Sequence, residues 1–454
     1  MASAYLTRAG SDPTSSNTTA TYSVWLKRGS LGATQTFWSG GYYSSDNVFF
    51  IRFNSSDQLQ VFSRRGASTK ADIRPNRLFR DASAWYHIVV AVDSTQGSSA
   101  DRIKIYVNGE QETSFSTNTT PSQNENLYLD AGAGTNYYIG QKGGNAEYFD
   151  GQMAHFHYAD GTAYTPTTFG ETDSTTGIWK AKISPTVNYG NKGVFLKFDN
   201  SANMGLDSSG GSRNFTTSGT IIQNKDTPSN VFATFNPLDN YYPAMTLSNV
   251  NTRALTIGGK YTYIPSTLGM TSGKYYAEIK CTAQSSSQEE FLVGITSTQT
   301  TATTHEVGHY GNDYGYNGVA GQYRTSNANT SYGAAYTTGD IIGIAVDLDN
   351  NKLYFSKNGV FQNSGVPTSG STGTGAINIT DSSSTALGAY FFAVCYFSST
   401  NTGTYDANFG NGYFGTTAVS SAQSPDDGVG IFEYDVPAGY RALCTKSLNA
   451  QEYS

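Results

Sequence analysis

His305, Glu306 and His309 stand in the run TTHEVGHYGNDYG, residues 303–315. On a helix, that spacing would turn two imidazoles to one face as zinc ligands, with the glutamate beside a metal-bound water as general base. The flanks argue against the helix. Threonines precede the run, and Gly308, Gly311, Gly315 and Gly318 interrupt it, so helix propensity is poor. A longer form of the motif would place a glycine at position 312 and a third histidine at 315, where this chain has Asn312 and Gly315. The residues predict a loop without a catalytic zinc.

Other chemistry-bearing patterns fail in the same way. Gly410–Gly415 spells GNGYFG, but a dinucleotide site needs a strand before it and a helix after it, and TTAVSSAQSP opens a helix poorly. Asp347, Asp349 and Asn351 begin like a calcium loop, yet Lys352 and Asn358 occupy the positions where glycine and glutamate would be required. Glycoside hydrolysis needs two carboxylates flanking the bond. Glu289 and Glu290 are adjacent and would point to opposite faces of a strand, and Glu147 and Asp150 flank two aromatics in an expected loop. No pair stands out, and the chain is expected not to be an enzyme.

Two groups of residues favour binding. Tyr310, Asp313, Tyr314, Tyr316, Tyr323 and Arg324 lie in an expected loop rich in Asn and Gly. Aromatic faces of this kind stack on sugar rings or anchor protein interfaces, while Asp and Arg hydrogen-bond hydroxyls. Trp38, Tyr42 and Tyr43 form a similar, smaller group. The second group is basic: Arg64, Arg65, Lys70, Arg74, Arg77 and Arg80 accompany only Asp72 within residues 64–80. On an acidic chain this cluster is either a solvated face or a contact patch for an acidic subunit or anionic glycan.

The elements that must carry these residues are strands. Among 454 residues there are 49 Gly, 33 Tyr and 24 Phe, while charged residues make up 14%. Tyr, Phe and Thr favour pleated, half-buried surfaces, and Gly, Asn and Ser supply turns between them. Alternating runs of roughly four to eight residues recur, and no long segment has convincing helical periodicity. A net charge of -7 argues against general nucleic-acid binding, which requires Lys and Arg to neutralise phosphates. No apolar run approaches the roughly 18 residues of a membrane span, so no membrane insertion is expected, and the start MASAYLTRAGSDPTSS does not read as an export signal. Cys281, Cys395 and Cys444 are odd in number and widely spaced, and are read as buried thiols.

The runs SAWYHIVVAVDST, DRIKIYVNGE, YYIGQ and YFDGQMAHFHYADGTAYTP follow an order that resembles laminin-G-like, concanavalin A-like jelly-roll domains over residues 1–185. Residues 186–243 are read as a last strand, GVFLKF, and a connector. GDIIGIAVDLDNNKLYFSKNGVFQ, with GKYYAEIKC before it and GAYFFAVCYF after it, resembles a SPRY domain over 244–415, leaving 416–454 as a C-terminal extension. The fold class expected is all-β: two antiparallel β-sandwich (jelly-roll, concanavalin A-like) domains in tandem with a short connector. In the SPRY resemblance, HEVGH falls in a loop after EEFLVGITS.

The order of modules resembles structural proteins of tailed bacteriophages, marine ones especially. That resemblance implies a virion surface protein, made in the host cytoplasm and exposed on the particle exterior. Its partners would be other virion subunits, host cell-surface polysaccharide and further copies of itself. A tail-fibre or adhesin-like role leads, with capsid decoration and a polysaccharide-degrading enzyme as alternatives. No cofactor is implied, although a structural calcium held by loop carbonyls and carboxylates in the first sandwich is left open.

Overall fold

The computed structural model describes the chain apart from residues 1–3, 11–16, 43–45, 133, 145, 175, 241–243, 258–259, 286–289, 300–305, 399–400 and 453–454. Strands dominate it, as the turn-rich, Tyr- and Phe-rich sequence predicts, and Thr445–Glu452 is the α-helix at the end of the described chain. Two compact units divide the chain, Met1–Gln223 and Asn224–Ser454.

In the first unit, an antiparallel sheet runs in the spatial order Phe115–Thr119, Ser68–Pro75, Leu59–Arg65, Asn47–Phe53, Gln35–Tyr42, Asn136–Ile139, Tyr5–Ala9, Thr216–Ser218. A second sheet runs Val194–Leu196, Gly151–Asp160, Thr19–Arg28, Trp85–Asp93, Ile103–Val107, Glu110–Gln111. Alternation assigns the faces. Phe49, Ile51 and Phe53 of one sheet meet Val24, Leu26, Ile88 and Val90 of the other in a single core. At Asn108 and Gly109, both with positive φ (51° and 88°), the chain turns between the Ile103–Val107 and Glu110–Gln111 strands. Two-residue hairpin loops require that geometry.

The stretch 186–243, expected to be a last strand and connector, is mostly first-unit structure. Val194–Leu196 pairs with Gly151–Asp160, and Thr216–Ser218 pairs with Tyr5–Ala9. Between them the Asp207 carboxylate accepts the main-chain N–H of Phe195, Ser209 and Arg213 at 2.9 to 3.0 Å. A side chain thus replaces ladder bonds, and an Asp-, Ser- and Gly-rich stretch becomes ordered without looking like a strand.

The second unit also has two sheets. One is ordered Thr246–Ser248, Arg253–Leu255, Gly403–Asn408, Lys274–Gln284, Ile341–Asp347, Lys352–Lys357, Val360–Phe361. The other runs Lys260–Pro265, Phe391–Ser398, Glu290–Thr296, Asp313–Asn317, Gln322–Thr325, Ala328–Ser331. Residues 416–454 are continuous with this unit. Arg441–Ala442 pairs in parallel with Lys274–Gln284, and Phe432, Tyr440 and Ala442 cover Tyr276 and Tyr354 on that sheet's outer side. All three cysteines are buried and none forms a disulfide.

Candidate functional site

Among the described residues, Glu306–His309 of the HEVGH segment do not form the helix that zinc ligation needs. His305 lies outside the described residues, and 307–312 are turns and bends leading into the Asp313–Asn317 strand. Glu306 is buried and ion-paired with Arg324 at 2.5 Å, which removes it from any water-activating role. The main-chain N–H of His309 donates to the Glu306 carbonyl at 3.0 Å, closing a single turn.

The tyrosines expected in this loop separate into two environments. Tyr314 and Tyr316 are core residues of a strand flanked on both sides, and this corrects their assignment to a binding loop. Tyr316 stacks on Phe355 with centroids 5.2 Å apart. Asp313 is likewise buried, accepts the Thr296 hydroxyl at 2.7 Å, and is pushed up to about 6 by burial. Tyr310 is exposed at 40%, against the edge of the His309 ring, while Tyr323 and Arg324 are half-buried on the next strand.

In the first unit, Trp38 is a second correction: it is fully buried, packed 5.2 Å from Phe156 and 5.3 Å from Tyr22. A register shift between Thr36 and Trp38 turns both Phe37 and Trp38 inward, which simple alternation does not predict. Tyr42 ends its strand, and Tyr43 lies outside the described residues.

The basic cluster, read as either a solvated face or a contact patch, is largely balanced by carboxylates in space. Arg64 pairs with Asp46, Lys70 with Glu125, Arg74 with Asp72, Arg77 with Glu112 and Arg80 with Asp57. Arg65 is exposed. Four of the five carboxylates come from outside residues 64–80, so the sequence window hid them.

A surface that the sequence reading missed lies on the outer side of the larger sheet. Its strand registers put Thr7, Tyr138, Ser39, Phe50, Phe62 and Asp72 in one cross-strand row, facing away from the core. Phe50 and Phe62 stack at 4.8 Å and the Arg52 guanidinium lies 4.4 Å over the Phe50 ring, so Phe50 is buried and Phe62 and Tyr138 are the part-exposed aromatics of the row. Around them runs a connected polar lattice. Arg52 donates to Gln60 and Glu147 at 2.8 Å each, Gln60 to Asp72 at 2.8 Å, and Lys142 to Glu147 at 2.9 Å. Tyr5 lies against both Tyr138 and Tyr148, with centroids 6.3 and 6.2 Å apart. Arg74 chelates Asp72 through both oxygens. The cations hold Glu147 below its usual range against the opposing effect of burial, so it stays a carboxylate and an acceptor. The signal was present in NVFFIRF, where Phe50 and Arg52 alternate with the core-facing Phe49, Ile51 and Phe53.

The outer side of the smaller sheet holds a Ser–His contact, which geometry disarms. Ser23 Oγ and His87 Nε2 are 2.9 Å apart, and the indole N–H of Trp179 donates to His87 Nδ1 at 2.9 Å. An indole nitrogen can only donate, so Nδ1 accepts and Nε2 carries the proton. His87 therefore donates to Ser23 and does not take its proton. Among the described residues, no three His, Cys, Asp or Glu side chains group so as to hold a metal ion, and no helix is long and apolar enough to cross a membrane.

Comparison with known proteins agrees with the two units. Residues 2–168 match the concanavalin A-like lectin/glucanases superfamily in its laminin-G form, and residues 274–410 match the SPRY domain. A dual specificity protein kinase, splA, of Dictyostelium discoideum is 39% identical over 54 residues, which are 12% of this chain and 2% of the kinase. The chain thus spans a small fraction of that relative's length. The SPRY domain of human HERC1 is similar at 16% identity and a TM-score of 0.30, over 38% of this chain and 96% of that one. A Bacteroides ovatus protein for which carbohydrate binding is proposed is similar at 19% identity and a TM-score of 0.30, over 48% of this chain and 57% of that one.

Proposed function

From a concanavalin A-like lectin/glucanase fold in the first unit and a SPRY domain in the second, we propose that this is a non-enzymatic binding protein of a bacteriophage particle. It is tail-fibre or adhesin-like and contacts host cell-surface polysaccharide through the outer side of the larger first-unit sheet. The observation that carries the reading is the pair of part-exposed aromatics Tyr138 and Phe62, set in one row on either side of the buried Phe50 and embedded in the Arg52–Gln60–Asp72–Glu147 lattice. Aromatic area beside fixed donors and acceptors is what a sugar chain needs, since its rings have apolar faces and hydroxyl edges. The order of the modules supports the viral setting. That the role is binding and not hydrolysis is supported by the charge state of the face. Its carboxylates are paired with cations, whereas a general acid would need a raised pKa. The carboxyl groups raised to about 6 and about 7, Asp313 and Glu278, are sealed inside the second unit, and Asp150, Asp160 and Asp239, which burial also raises, do not belong to this lattice.

The test is retention of purified protein on host cells and on isolated host polysaccharide, with polymer length followed in the same samples. Retention that Phe62→Ala and Arg52→Ala each reduce at least tenfold, with polymer length unchanged, is the expected result. Shortened polymer would make the protein an enzyme. Absence from cells together with binding to assembled heads would move the role to capsid decoration.

A further inference from the structure

Arg8 and Arg213 lie 205 positions apart and meet at the rim of the first unit. Arg8 donates to the main-chain carbonyls of Lys192 at 2.9 Å and Arg213 at 3.4 Å. Arg213 donates to those of Gly193 at 2.9 Å and Gly190 at 3.1 Å. The Arg8 guanidinium is further held 4.5 Å from the Tyr137 ring and 5.0 Å from Phe215. Among the described residues, neither arginine has a carboxylate partner. The nearby acids lie outside the cleft lining: Asp130 pairs with the Lys192 ammonium at 2.7 Å, Asp207 accepts main-chain N–H groups, and Asp160 accepts the Lys192 main-chain N–H at 3.2 Å.

Neutral carbonyls satisfy N–H groups but leave the charge uncompensated, and an arginine drawn partly out of water is costly in that state. Burial lowers the Arg8 pKa, and the neighbouring Arg213 charge adds to this, while Tyr137 opposes it. Arg28, the other deeply placed arginine of this unit, has Asp57 at 2.9 Å. Between Arg8 and Arg213 opens a cleft of about 340 Å³, also lined by Lys192, Ser212 and Asn214 and by no acidic side chain. Each guanidinium has five N–H donors and gives two contacts to carbonyls, so donors remain on both. Asn214 uses its oxygen to accept the Asp207 N–H at 2.8 Å, which leaves its amide N–H groups as donors. A Cβ at Gly211 would stand 1.8 Å from the Arg213 Nη1 atom, so glycine at this position makes room for the guanidinium.

We infer that this cleft is an oxyanion-binding site, taking the carboxylate or sulfate group of an acidic sugar between the Arg8 and Arg213 guanidinia. Guanidinium forks match both groups through paired N–H bonds. Two uncompensated cations suit one isolated oxyanion, whereas a nucleic-acid strand would require a line of them on a chain whose net charge is -7. The cleft volume is that of a small-ligand site, enough for one sugar residue. Only the polymer that carries the oxyanion rests on the polysaccharide reading above; the contact with the anionic group stands without it.

The experiment is calorimetric titration of the full chain at low ionic strength with glucuronate, glucose 6-sulfate and glucose. At least one anionic sugar is expected to bind and glucose is not, and which anion binds identifies the group. Arg213→Gln and Gly211→Ala should each weaken binding at least tenfold, the second with both positive charges still present. If Arg213→Gln does not fold, Gly211→Ala decides alone, because it displaces only the mobile end of a side chain. Lys104→Ala, which removes a part-exposed cation of the smaller sheet, should leave the titration unchanged. No binding of either anion, equal binding of glucose, or anion binding indifferent to Gly211→Ala would each overturn the site. Loss of cell retention in Arg52→Ala with an intact titration would separate the two surfaces. Failure of retention throughout, with the titration still sensitive to Gly211→Ala, would reject the polysaccharide reading and keep the cleft.

Discussion

The Glu278 carboxylate accepts the main-chain N–H of Tyr434 at 2.9 Å, across 156 positions of sequence. Its other oxygen accepts the N–H of Glu433 at 2.8 Å and the Asn408 amide at 3.2 Å, and Tyr276 donates to the first at 3.3 Å. Four donors on one buried acid fix the C-terminal segment to the outer side of the sheet that carries the SPRY hairpin. A module boundary near 415 is therefore a boundary of family resemblance and not of folding.

That acid should make stability depend on pH. Burial, the largest cause, pushes Glu278 up to about 7, while the four donors pull the other way. Its folded pKa thus lies above the ordinary 4.5 that it would have when unfolded. The folded state holds the proton more tightly, so this contribution is complete below the unfolded pKa and is lost as pH rises through the folded one. The urea midpoint of the wild type should fall between pH 5 and pH 8. Asp313, raised to about 6, acts in the same direction, so the comparison is with Glu278→Gln, whose fall should be clearly smaller. Parallel pH profiles for the two proteins would reject the assignment.

The pair Arg28–Asp57 makes a second prediction. Arg28 is fully buried, reaches Asp57 at 2.9 Å and the Phe79 carbonyl at 2.7 Å, and lies 4.6 Å from the Phe53 ring. Asp57 also accepts Arg80 at 3.1 Å and the Gly32 N–H at 2.8 Å. Removing one member of such a pair leaves a buried charge alone, at a cost of about 3–5 kcal/mol. Asp57→Ala should lose that much by urea denaturation, whereas Arg80→Ala, on the exposed arm, should lose no more than about 1 kcal/mol. Similar losses for both would mean that water reaches Arg28.

Much of the fold was legible because its signals are local. The hairpin joining Ile341–Asp347 to Lys352–Lys357 shows as alternating apolar residues around Asp349, Asn350 and Asn351, and the next turn as Asn358–Gly359, both with positive φ. The strand DYGYN was not legible, since its Asp, Asn and Gly read as loop. Gly315 pairs directly with Gly294 of the neighbouring strand. A Cβ at Gly315 would meet the Val307 carbonyl at 2.5 Å, and one at Gly294 the Tyr314 carbonyl at 1.9 Å. Gly315 marks a strand under a crossing turn and Gly294 a close approach of the neighbouring strand, and both are tertiary facts. The candidate surfaces were hidden for a related reason. Arg52 and Glu147 meet across 95 positions, so no window of sequence shows both.

The two environments of the 309–326 tyrosines give a direct contrast. Tyr316 is fully buried against Phe355 and Tyr336, and removing such a ring should cost about 3–5 kcal/mol. Tyr310 is 40% exposed, so Tyr310→Ala should stay within about 0.5 kcal/mol of wild type. Urea midpoints of the two variants measure this, and a stable Tyr316→Ala would return that residue to the surface.

The Ser23–His87–Trp179 chain predicts a histidine that does not titrate near neutrality. Burial, with the His155 charge as a lesser cause, lowers His87 to about 3. The indole donor fixes the proton on Nε2, and His87 stacks on Trp25 at 4.7 Å. Long-range proton–nitrogen spectra should show one neutral tautomer, protonated at Nε2, from pH 8 down to pH 5. Trp179→Phe leaves Nδ1 without its donor and should cost about 1–3 kcal/mol, the desolvation of an unsatisfied buried acceptor. The indole also fills space next to Gly109 and Gly170, where a Cβ would come within 2.9 and 2.5 Å of its ring, so Gly170→Ala should destabilise as well. A fluorophosphonate should leave Ser23 unlabelled, because its histidine neighbour is a donor and cannot take the hydroxyl proton. Labelling at Ser23 would require the opposite tautomer and reopen nucleophilic chemistry on this sheet, and a His87 titration near pH 6 would mean that water reaches the ring.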